Sequence, residues 1–290
     1  MRTTRVVREG VYFGEGPRWH DDRLWYSDFY DHAVHAMDLD GNDERILAID
    51  DQPSGLGWMP DGSLLVVSMT KRHVLRWDGT GAPRLHADLS ALAPFHCNDM
   101  VVDAAGRAYV GNFGFDLDAF SHNPGGGVQP TNTVLIRVDP DGRASVAADD
   151  LGFPNGTVIT PDGATLIVGE SFASRLTAFD IDGDGGLSNR RVWADTGAAR
   201  VAPDGICLDA DGAIWVANPF APQCLRFAEG GDKLDEVTTS RTAFACMLGG
   251  PDGRHLFILT APSSDAEQAA VAPLGAIEVA EVDVAHAGLP

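Results

Sequence analysis

Short apolar runs alternate with turn-forming residues along the whole chain. LLVVS at 64–68, TLIVG at 165–169 and AIWVA at 213–217 are typical, and they are rich in β-branched and aromatic side chains. Runs of this length and composition indicate β-strands rather than helices. A turn pair, most often Asp-Gly, precedes each run and supplies the positive φ angle of a tight hairpin. The pattern predicts antiparallel meanders of three or four strands with no helical period.

The turn and the strand that follows it recur six times. The copies are WHDDRLWYSD (19–28), MPDGSLLVVS (59–68), DAAGRAYVGN (103–112), TPDGATLIVGE (160–170), DADGAIWVAN (209–218) and GPDGRHLFILT (250–260). A short segment precedes each copy, and one residue in each segment marks the repeat. We call these the anchor residues: Glu15, Gly55, Asn98, Asn155, Asp204 and Cys246. Their spacings are 40, 43, 57, 49 and 42 residues.

This period predicts an all-β fold, a six-bladed β-propeller that occupies residues 1–290 as a single domain. A four-stranded blade takes about 40 to 50 residues, and closing the ring leaves no free sheet edges. A solenoid is the alternative, but it needs polar end caps, whereas both ends here are apolar strands. The segment at 4–13 precedes the first inner strand, so we expect it to pair with residues 275–284 and close the ring. The longest spacing contains an insertion at about 113–133.

Charge and composition narrow the possible partners. The chain has 21 basic and 42 acidic residues and a formal net charge of −21, which disfavours nucleic acids and anionic membranes. Its four cysteines lie far apart, so a zinc cluster is not expected and the thiols should be reduced. Neither a signal peptide nor an apolar run of 18 residues is visible, which predicts a cytoplasmic protein. The oligomeric state stays open.

Four anchor residues carry side-chain oxygens at the same register of the repeat. In a propeller this register surrounds one mouth of the central channel. Glu15, Asn155 and Asp204 would supply two carboxylates and an amide oxygen, a donor set that favours calcium, magnesium or manganese over zinc and copper. The alternative is that Asn-Gly at 155–156 and Asp-Gly at 204–205 are ordinary turn pairs.

Five stretches resemble the family of senescence marker protein 30 and the gluconolactonases, with diisopropylfluorophosphatase as a more distant relative. They are EGPRW at 15–19, CNDMVVDAAGR at 97–107, PNGTVITPDG at 154–163, PDGICLDADGAIWVA at 203–217 and GGPDGRHLFILTA at 249–261. The resemblance implies that Glu15, Asn155 and Asp204 bind one divalent metal ion, calcium first, with magnesium, manganese, zinc or iron as alternatives. It also implies that Asn98 contacts the substrate or a metal-bound water and that Asp204 is the general base.

Two departures from the family lie on the expected substrate side. Many members have Arg, which touches sugar hydroxyls, where this chain has His96, and GNFGFD at 111–116 replaces a common GTM-type segment. We therefore assign His96, Asn98, Phe113 and Phe115 to substrate binding, with core packing as the alternative role for each phenylalanine. The insertion at 113–133 contains the Gly-rich SHNPGGG, which fits either a lid or a disordered surface loop.

The resulting hypothesis is a metal-dependent lactonase of gluconolactonase type that acts on a small-molecule lactone. The metal would polarise the carbonyl group, and Asp204 would accept a proton from water. Serine chemistry is not supported, because no GxSxG is present. Two alternatives stay open: a phosphotriesterase-like hydrolase on the same metal site, and a non-catalytic binding propeller with a structural metal.

Overall fold

The strands of the chain form six separate sheets around one axis. The computed structural model describes residues 2–123 and 125–290 and has the architecture of a six-bladed β-propeller. The innermost strand of each sheet contacts the innermost strands of both neighbouring sheets, so the sheets close into a ring. The predicted fold class is thus confirmed. That residues 1–290 constitute a single domain stays a prediction.

Two short strands, β1 (Arg2–Thr3) and β2 (Arg5–Val11), precede the first blade and join blades 5 and 6. Blade 1 contains β3 (Gly14–His20), β4 (Arg23–Asp28), β5 (Ala33–Met37) and β6 (Asp43–Ala48). Blade 2 contains β7 (Pro53–Trp58), β8 (Leu64–Ser68), β9 (His73–Trp77) and β10 (Arg84–Asp88). Blade 3 contains β11 (Cys97–Val102), β12 (Ala108–Asn112), β13 (Thr133–Val138) and β14 (Ala144–Leu151).

The other three blades repeat this order from the axis outwards. Blade 4 contains β15 (Pro154–Ile159), β16 (Thr165–Glu170), β17 (Arg175–Ile181) and β18 (Leu187–Asp195). Blade 5 contains β19 (Ile206–Leu208), β20 (Ile214–Ala217), β21 (Gln223–Phe227) and β22 (Lys233–Thr238). Blade 6 contains β23 (Thr242–Gly249), β24 (His255–Ala261) and β25 (Gly275–Glu281) from the end of the chain.

The Asp-Gly pairs form the hairpins between the first and second strands of the blades. In blade 2 the Asp61 carboxylate accepts a hydrogen bond from the backbone N–H of Ser63 at 3.0 Å, and Gly62 takes a φ of +83°. In blade 4 the Asp162 carboxylate accepts from the backbone N–H of Ala164, also at 3.0 Å. In these two turns aspartate therefore caps the hairpin, while glycine adopts the left-handed conformation that other residues adopt at a cost.

The N-terminal segment closes the ring. β2 pairs antiparallel with β25 as the outermost strand of blade 6, with Arg5 opposite Val279. The predicted pairing is thus confirmed. In addition β1 pairs in parallel with β22, so the first residues of the chain hold blades 5 and 6 together. Closure by a strand from the opposite end of the chain protects edges that would otherwise be free to pair.

Apolar side chains fill the spaces between neighbouring blades. The largest buried cluster joins blades 5, 6 and 1, and its fully buried side chains include Trp215 and Tyr26. Trp19 of blade 1 stacks on Phe257 of blade 6 with ring centroids 5.6 Å apart, across the point where the ring closes. Packing between sheets, rather than within a sheet, therefore holds the blades in register.

Two short helices lie in loops at the mouth where the inner strands begin. α1 (Leu117–His122) lies in the insertion between β12 and β13, and α2 (Ala266–Ala269) lies between β24 and β25. The Asp116 side chain caps α1 by accepting from the backbone N–H of Ala119 at 2.9 Å. Both helices are too short to give a helical period in the sequence. In residues 2–123 and 125–290, no helix has the length and hydropathy needed to cross a membrane.

A partly buried ionic cluster connects the closing strand to blade 1. The His35 ring lies between two carboxylates, with Nε2 2.9 Å from Asp31 and Nδ1 3.0 Å from Asp43. Arg8 of β2 lies 3.4 Å from Asp43, and Arg45 donates to Asp31 at 2.8 Å. Burial lowers the pKa of His35, but the hydrogen bonds and charges of Asp43 and Asp31 outweigh it and raise that pKa above its usual value. The cluster is therefore most stable when His35 is protonated.

We expect His35→Gln to destabilise the protein in a pH-dependent way. A raised folded-state pKa contributes stability that is fully present below the ordinary histidine pKa and is lost as pH rises through the folded value. At pH 6 the loss should be on the order of 2 kcal/mol, typical of hydrogen bonds between charged groups, and it should shrink towards pH 9. Urea unfolding across this range measures it, with exposed His32→Asn as the control. An equal loss at both pH values would contradict the expectation.

Candidate functional site

The regular pairing of the inner strands is interrupted near the anchor residues. Between the first and second strands of blades 1 to 4, the register shifts between Glu15 and Arg18, Pro53 and Leu56, Cys97 and Met100, and Pro154 and Thr157. Such a bulge bends the strand and re-aims its side chains. In blade 5, Asp204 lies two residues before β19 begins. The anchor residues therefore lie where the inner strands depart from regular sheet geometry, at one mouth of the channel.

Asn155 and Asp204 of adjacent blades are in direct contact. The amide nitrogen of Asn155 donates to the Asp204 carboxylate at 2.7 Å and approaches the Ser171 hydroxyl at 3.2 Å. The Ser171 hydroxyl in turn donates to the carbonyl oxygen of Pro203 at 2.6 Å. Because the amide nitrogen is engaged in this way, the Asn155 side-chain oxygen is the atom left to face a ligand.

The glycines after these two residues have a packing role. A Cβ on Gly156 would lie 2.5 Å from the carbonyl oxygen of Asp204, and a Cβ on Gly205 would lie 2.6 Å from the Cα of Ala245. Neither glycine takes a positive φ angle. The alternative that Asn155-Gly156 and Asp204-Gly205 are hairpin turn pairs is therefore wrong. These glycines permit the close approach of neighbouring inner strands.

The carboxylates of Glu15 and Asp204 lack a cation that balances the charge of both. Burial raises the pKa of Glu15 well above its usual range, and the charges of Asp204 and Asp99 raise it further. Burial likewise raises the pKa of Asp204 to about 8, against the hydrogen bond from Asn155 and with the charge of Asp99. Carboxylates that repel each other and are shielded from water are unfavourable when both are ionised. A bound cation would remove this penalty.

A buried ion pair that the sequence analysis did not identify lies behind these carboxylates. Arg18 contacts Asp99 at 2.8 Å and donates to the carbonyl oxygen of Leu56 at 2.9 Å, which connects blades 1, 2 and 3. Arg18 is only 4% exposed. Its guanidinium is occupied by Asp99 and by backbone carbonyls, so it does not neutralise Glu15 and Asp204 together. The sequence signal that could have indicated this ion pair is the presence of charged residues inside inner strands, in EGPRW and CNDM.

Asn98 is buried with unsatisfied polar atoms. It is 5% exposed, and neither its Oδ1 nor its Nδ2 has a hydrogen-bond partner among the described residues. A Cβ on Gly111 would lie 2.6 Å from this Oδ1 and 2.3 Å from the carbonyl oxygen of Pro154, the residue before Asn155. The Asn98 amide therefore lies beside the blade that carries Asn155. A buried amide without partners is costly and marks a place where a ligand can supply the missing hydrogen bonds.

These residues fit a hard divalent cation. They provide uncompensated carboxylates on Glu15 and Asp204, an outward amide oxygen on Asn155 and an unsatisfied amide on Asn98. The other two anchors, Gly55 and Cys246, supply no side-chain oxygen. Among the described residues, no group of three or more His, Cys, Asp or Glu side chains is arranged to hold a metal. The candidate set is instead a mixture of two acids and amides, which suits an oxygen-seeking ion.

The residues assigned to substrate binding lie at the same mouth. The backbone N–H of Phe113 donates to the carbonyl oxygen of His96 at 2.9 Å, and their rings are 5.9 Å apart. Burial lowers the pKa of His96, which favours a neutral imidazole. Phe113 stacks on Phe153 at 4.7 Å, whereas Phe115 contacts the same ring edge-on at 6.0 Å. Phe115 is 7% exposed, which makes it a supporting residue more than a lining residue.

Residues 13–262 match the family model described as SMP-30/Gluconolactonase/LRE-like region. The chain belongs to this family. It is 28% identical to the pentonolactonase of Haloferax volcanii, over 90% of this chain and 86% of that protein. It is also 28% identical to the 6-deoxy-6-sulfogluconolactonase of Pseudomonas putida, over 96% and 94%. The family resemblance noted from the sequence motifs is thus confirmed.

Solved structures of the SMP-30/gluconolactonase family share the fold. The calcium-binding protein regucalcin of Agrobacterium tumefaciens superposes with a TM-score of 0.80 at 21% identity, covering 100% of this chain and 97% of that one. A gluconolactonase of Xanthomonas campestris superposes with a TM-score of 0.73 at 23% identity, covering 98% and 89%. At these identities the superpositions show that the architecture is common to them and to this chain.

We expect Asp204→Asn to stabilise the metal-free protein at high pH. In the folded protein the pKa of Asp204 is raised from 3.8 to about 8. The folded protein therefore loses stability as pH rises between these values, because it must release a proton that it holds more tightly than the unfolded chain does. At pH 8.5 the gain should be at least about 1 kcal/mol, and it should shrink towards pH 5. Urea unfolding in chelator measures it, with exposed Asp211→Asn as the matched control. Lower stability of Asp204→Asn at pH 8.5 would contradict this assignment.

Proposed function

We propose that this chain is a metal-dependent lactonase that opens the ring of a small-molecule lactone with water. The observation that carries the proposal is the pair of uncompensated carboxylates on Glu15 and Asp204, at the same register of the repeat as the unsatisfied Asn98 amide. The relatives named as lactonases cover most of the chain and support the reaction class. The two alternatives from the sequence, a phosphotriesterase-like hydrolase and a binding propeller, gain no support from those relatives.

One divalent cation, calcium first, would be held by Glu15, Asn155 and Asp204. Relatives described as regucalcin, one of them as a calcium-binding protein, support a divalent ion without deciding which one. When bound, the cation supplies a Lewis acid that withdraws electron density from a carbonyl group and offsets negative charge on its oxygen. Carboxylate and amide oxygens in this number leave coordination positions open for small molecules.

Asp204 is the proposed general base. Water adds its oxygen to the lactone carbonyl carbon, and the Asp204 carboxylate accepts the proton that this water loses. The ring C–O bond then breaks, and the alkoxide that leaves takes up a proton, which yields a hydroxy acid. The hydrogen bond from Asn155 fixes the Asp204 carboxylate and directs its free oxygen. Glu15 then serves mainly as a ligand, since its role requires charge rather than proton transfer.

Asn98 and His96 would orient the lactone. The Asn98 amide can donate to an ester oxygen and accept from a hydroxyl, and binding a substrate would satisfy atoms that are otherwise unpaired. A neutral His96 offers one donor and one acceptor, and it lies beside Phe113 at the rim of the same mouth. Both side chains thus act by positioning the substrate rather than by transferring its protons.

Acid release from a lactone panel tests the proposal directly. Purified protein is stripped with chelator and reloaded separately with calcium, magnesium, manganese, zinc or iron. We expect acid release in a pH-stat from at least one lactone with a reloaded ion, and only the background rate in chelator. The Glu15→Gln variant should need a much higher metal concentration for acid release. The Asp21→Asn variant, which changes an exposed acid on the same blade, should not. Turnover that persists in chelator would exclude metal dependence, and no turnover of any lactone would exclude the reaction.

We expect Asp204→Asn to lower kcat by about 100-fold or more, the range seen when a general base is removed. An amide keeps an oxygen for the cation but accepts no proton at neutral pH. Metal affinity is measured by calorimetry, and turnover is compared at saturating metal so that weaker binding does not simulate a chemical defect. Circular dichroism confirms the fold, and Asp211→Asn on the same blade is the control. Near-normal kcat in Asp204→Asn would remove this residue from the proton transfer.

We expect His96→Arg to shift preference towards hydroxylated lactones. A guanidinium has five donors in a planar fork and can contact two hydroxyls at once, which imidazole does not match. The ratio of kcat/KM for glucono-lactone to that for an alkyl lactone should rise about ten-fold, equivalent to one added hydrogen bond. His73→Arg, at the start of an outer strand of blade 2, is the control. An unchanged ratio would mean that His96 does not touch the substrate.

A further inference from the structure

The wall of the mouth directly outside the proposed metal ligands is apolar. In each blade the residue two positions before the anchor lies one layer further towards the mouth. These residues are Phe13, Pro53, His96, Phe153, Ala202 and Phe244. His96 is thus the only one of the six with a polar side chain. The three phenylalanines are 4 to 6% exposed, so they form a packed layer rather than scattered surface residues.

Rings from several blades meet in this layer. Phe13 lies 4.8 Å from Phe244 of the neighbouring blade and 5.2 Å from Phe29. Phe113 of blade 3 packs against this group and also stacks on Phe153 at 4.7 Å. Because these side chains come from blades 1, 3, 4 and 6, their contacts extend across the channel mouth. They form a connected and mostly buried aromatic layer, of which Phe113 is the partly exposed member.

Exposed apolar residues also lie in loops at this mouth, and one of them, Phe172, continues the layer because its ring lies 5.4 Å from that of Phe153. The end of each second strand pairs with the start of the first, for example Glu170 with Pro154, so the loops after the second strands lie at this mouth. These loops carry Phe172 at 44% exposure, Phe220 at 79%, and Val271 at 79%. Phe172 is both exposed and continuous with the aromatic layer, and contiguous apolar surface of this kind is typical of binding sites, whereas single exposed apolar residues are not.

The charged groups near the mouth are mainly acidic. The charges that act on His96 come from Asp118, Asp51 and Asp116, with Arg72 as the basic exception. The Arg72 guanidinium already donates to the backbone carbonyl of Ala93 at 3.1 Å. Such surroundings disfavour a substrate with a sulfonate, phosphate or carboxylate group, and they repel the carboxylate product once it forms.

From this continuity we propose that the substrate is a neutral lactone whose ring carries a hydrocarbon group, aromatic or alkyl, rather than a polyhydroxylated sugar lactone. The inference rests on the proposed lactonase function. The reacting ester would face Asn98 and the metal ligands, while the hydrocarbon lies against Phe113 and Phe172, the more exposed rings, which both pack on the buried Phe153. Hydroxyls on that side would lose water without gaining hydrogen bonds, whereas an aromatic or alkyl group gains burial and ring contacts. The reaction is unchanged: water adds to the carbonyl carbon, the ring C–O bond breaks, and the hydroxy acid releases one proton.

Two lactones of equal ring size distinguish a preference for hydrocarbon-bearing lactones from a preference for sugar lactones. We expect kcat/KM for 3,4-dihydrocoumarin to exceed that for D-glucono-1,5-lactone by at least about ten-fold. Phe172→Ala should lower the value for dihydrocoumarin about ten-fold and leave the value for gluconolactone nearly unchanged. Val192→Ala is the matched control, because Val192 is 58% exposed on the same blade but lies on its outer strand. Both Phe172 and Val192 are exposed, so neither substitution should prevent folding.

Binding of unreactive lactams keeps the inference testable independently of catalysis. Calorimetry compares 3,4-dihydroquinolin-2-one with D-gluconolactam, in the parent protein and in Phe172→Ala, with and without added calcium. Tighter binding of the aromatic lactam, weakened by Phe172→Ala, supports the inference even if no lactone is hydrolysed, in which case only the lactonase proposal fails. A preference for the sugar compounds overturns the inference and leaves the lactonase proposal standing. An equal effect of Phe172→Ala on both classes also overturns it.

Discussion

The close approach of six inner strands around one axis is the constraint on which the rest of this structure depends. The strands converge until backbone meets backbone, so that a single Cβ on Gly156 or Gly205 would collide with the neighbouring strand. Regular pairing does not continue through so narrow a ring, and bulges interrupt it in blades 1 to 4 at the same register. Side chains at this register turn from the sheets into the channel. A site with residues from several blades is thus a direct product of ring closure.

The same convergence makes the site electrostatically unfavourable without a cation. Glu15 and Asp204 are far apart in the chain, yet burial raises both of their pKa values, and the charge of Asp204 raises that of Glu15 further. The nearest guanidinium, on Arg18, is already bound to Asp99 and to backbone carbonyls. The apolar core between the blades and the pairing of β2 with β25 must offset the free energy that these uncompensated charges cost. Uncompensated charges held by a rigid fold are common at functional sites.

Polar and apolar functions are separated by depth in the channel. The carboxylates and amides form the floor, and two residues nearer the mouth the side chains become aromatic, as at Phe13 and Phe153. Along a strand, positions two apart point to the same side, so a ligand residue and a wall residue naturally share one face. The family fold can therefore keep the reacting floor and vary the wall.

The repeat, the number of blades and the closure by the N-terminal strand were all predictable from the order of amino acids, because hairpin turns and alternating strands are local features with local signals. That order also placed Glu15, Asn155 and Asp204 at one register, and the contact of Asn155 with Asp204 follows from that register. Tertiary structure alone decided whether the Asn-Gly and Asp-Gly pairs were turns or points of close approach, since only the neighbouring blade distinguishes them. It also decided the partnership of Arg18 with Asp99 and the layer formed by Phe13, Phe153 and Phe244. These contacts join residues separated by tens to hundreds of positions, and nothing in a local pattern specifies which blades meet across the axis.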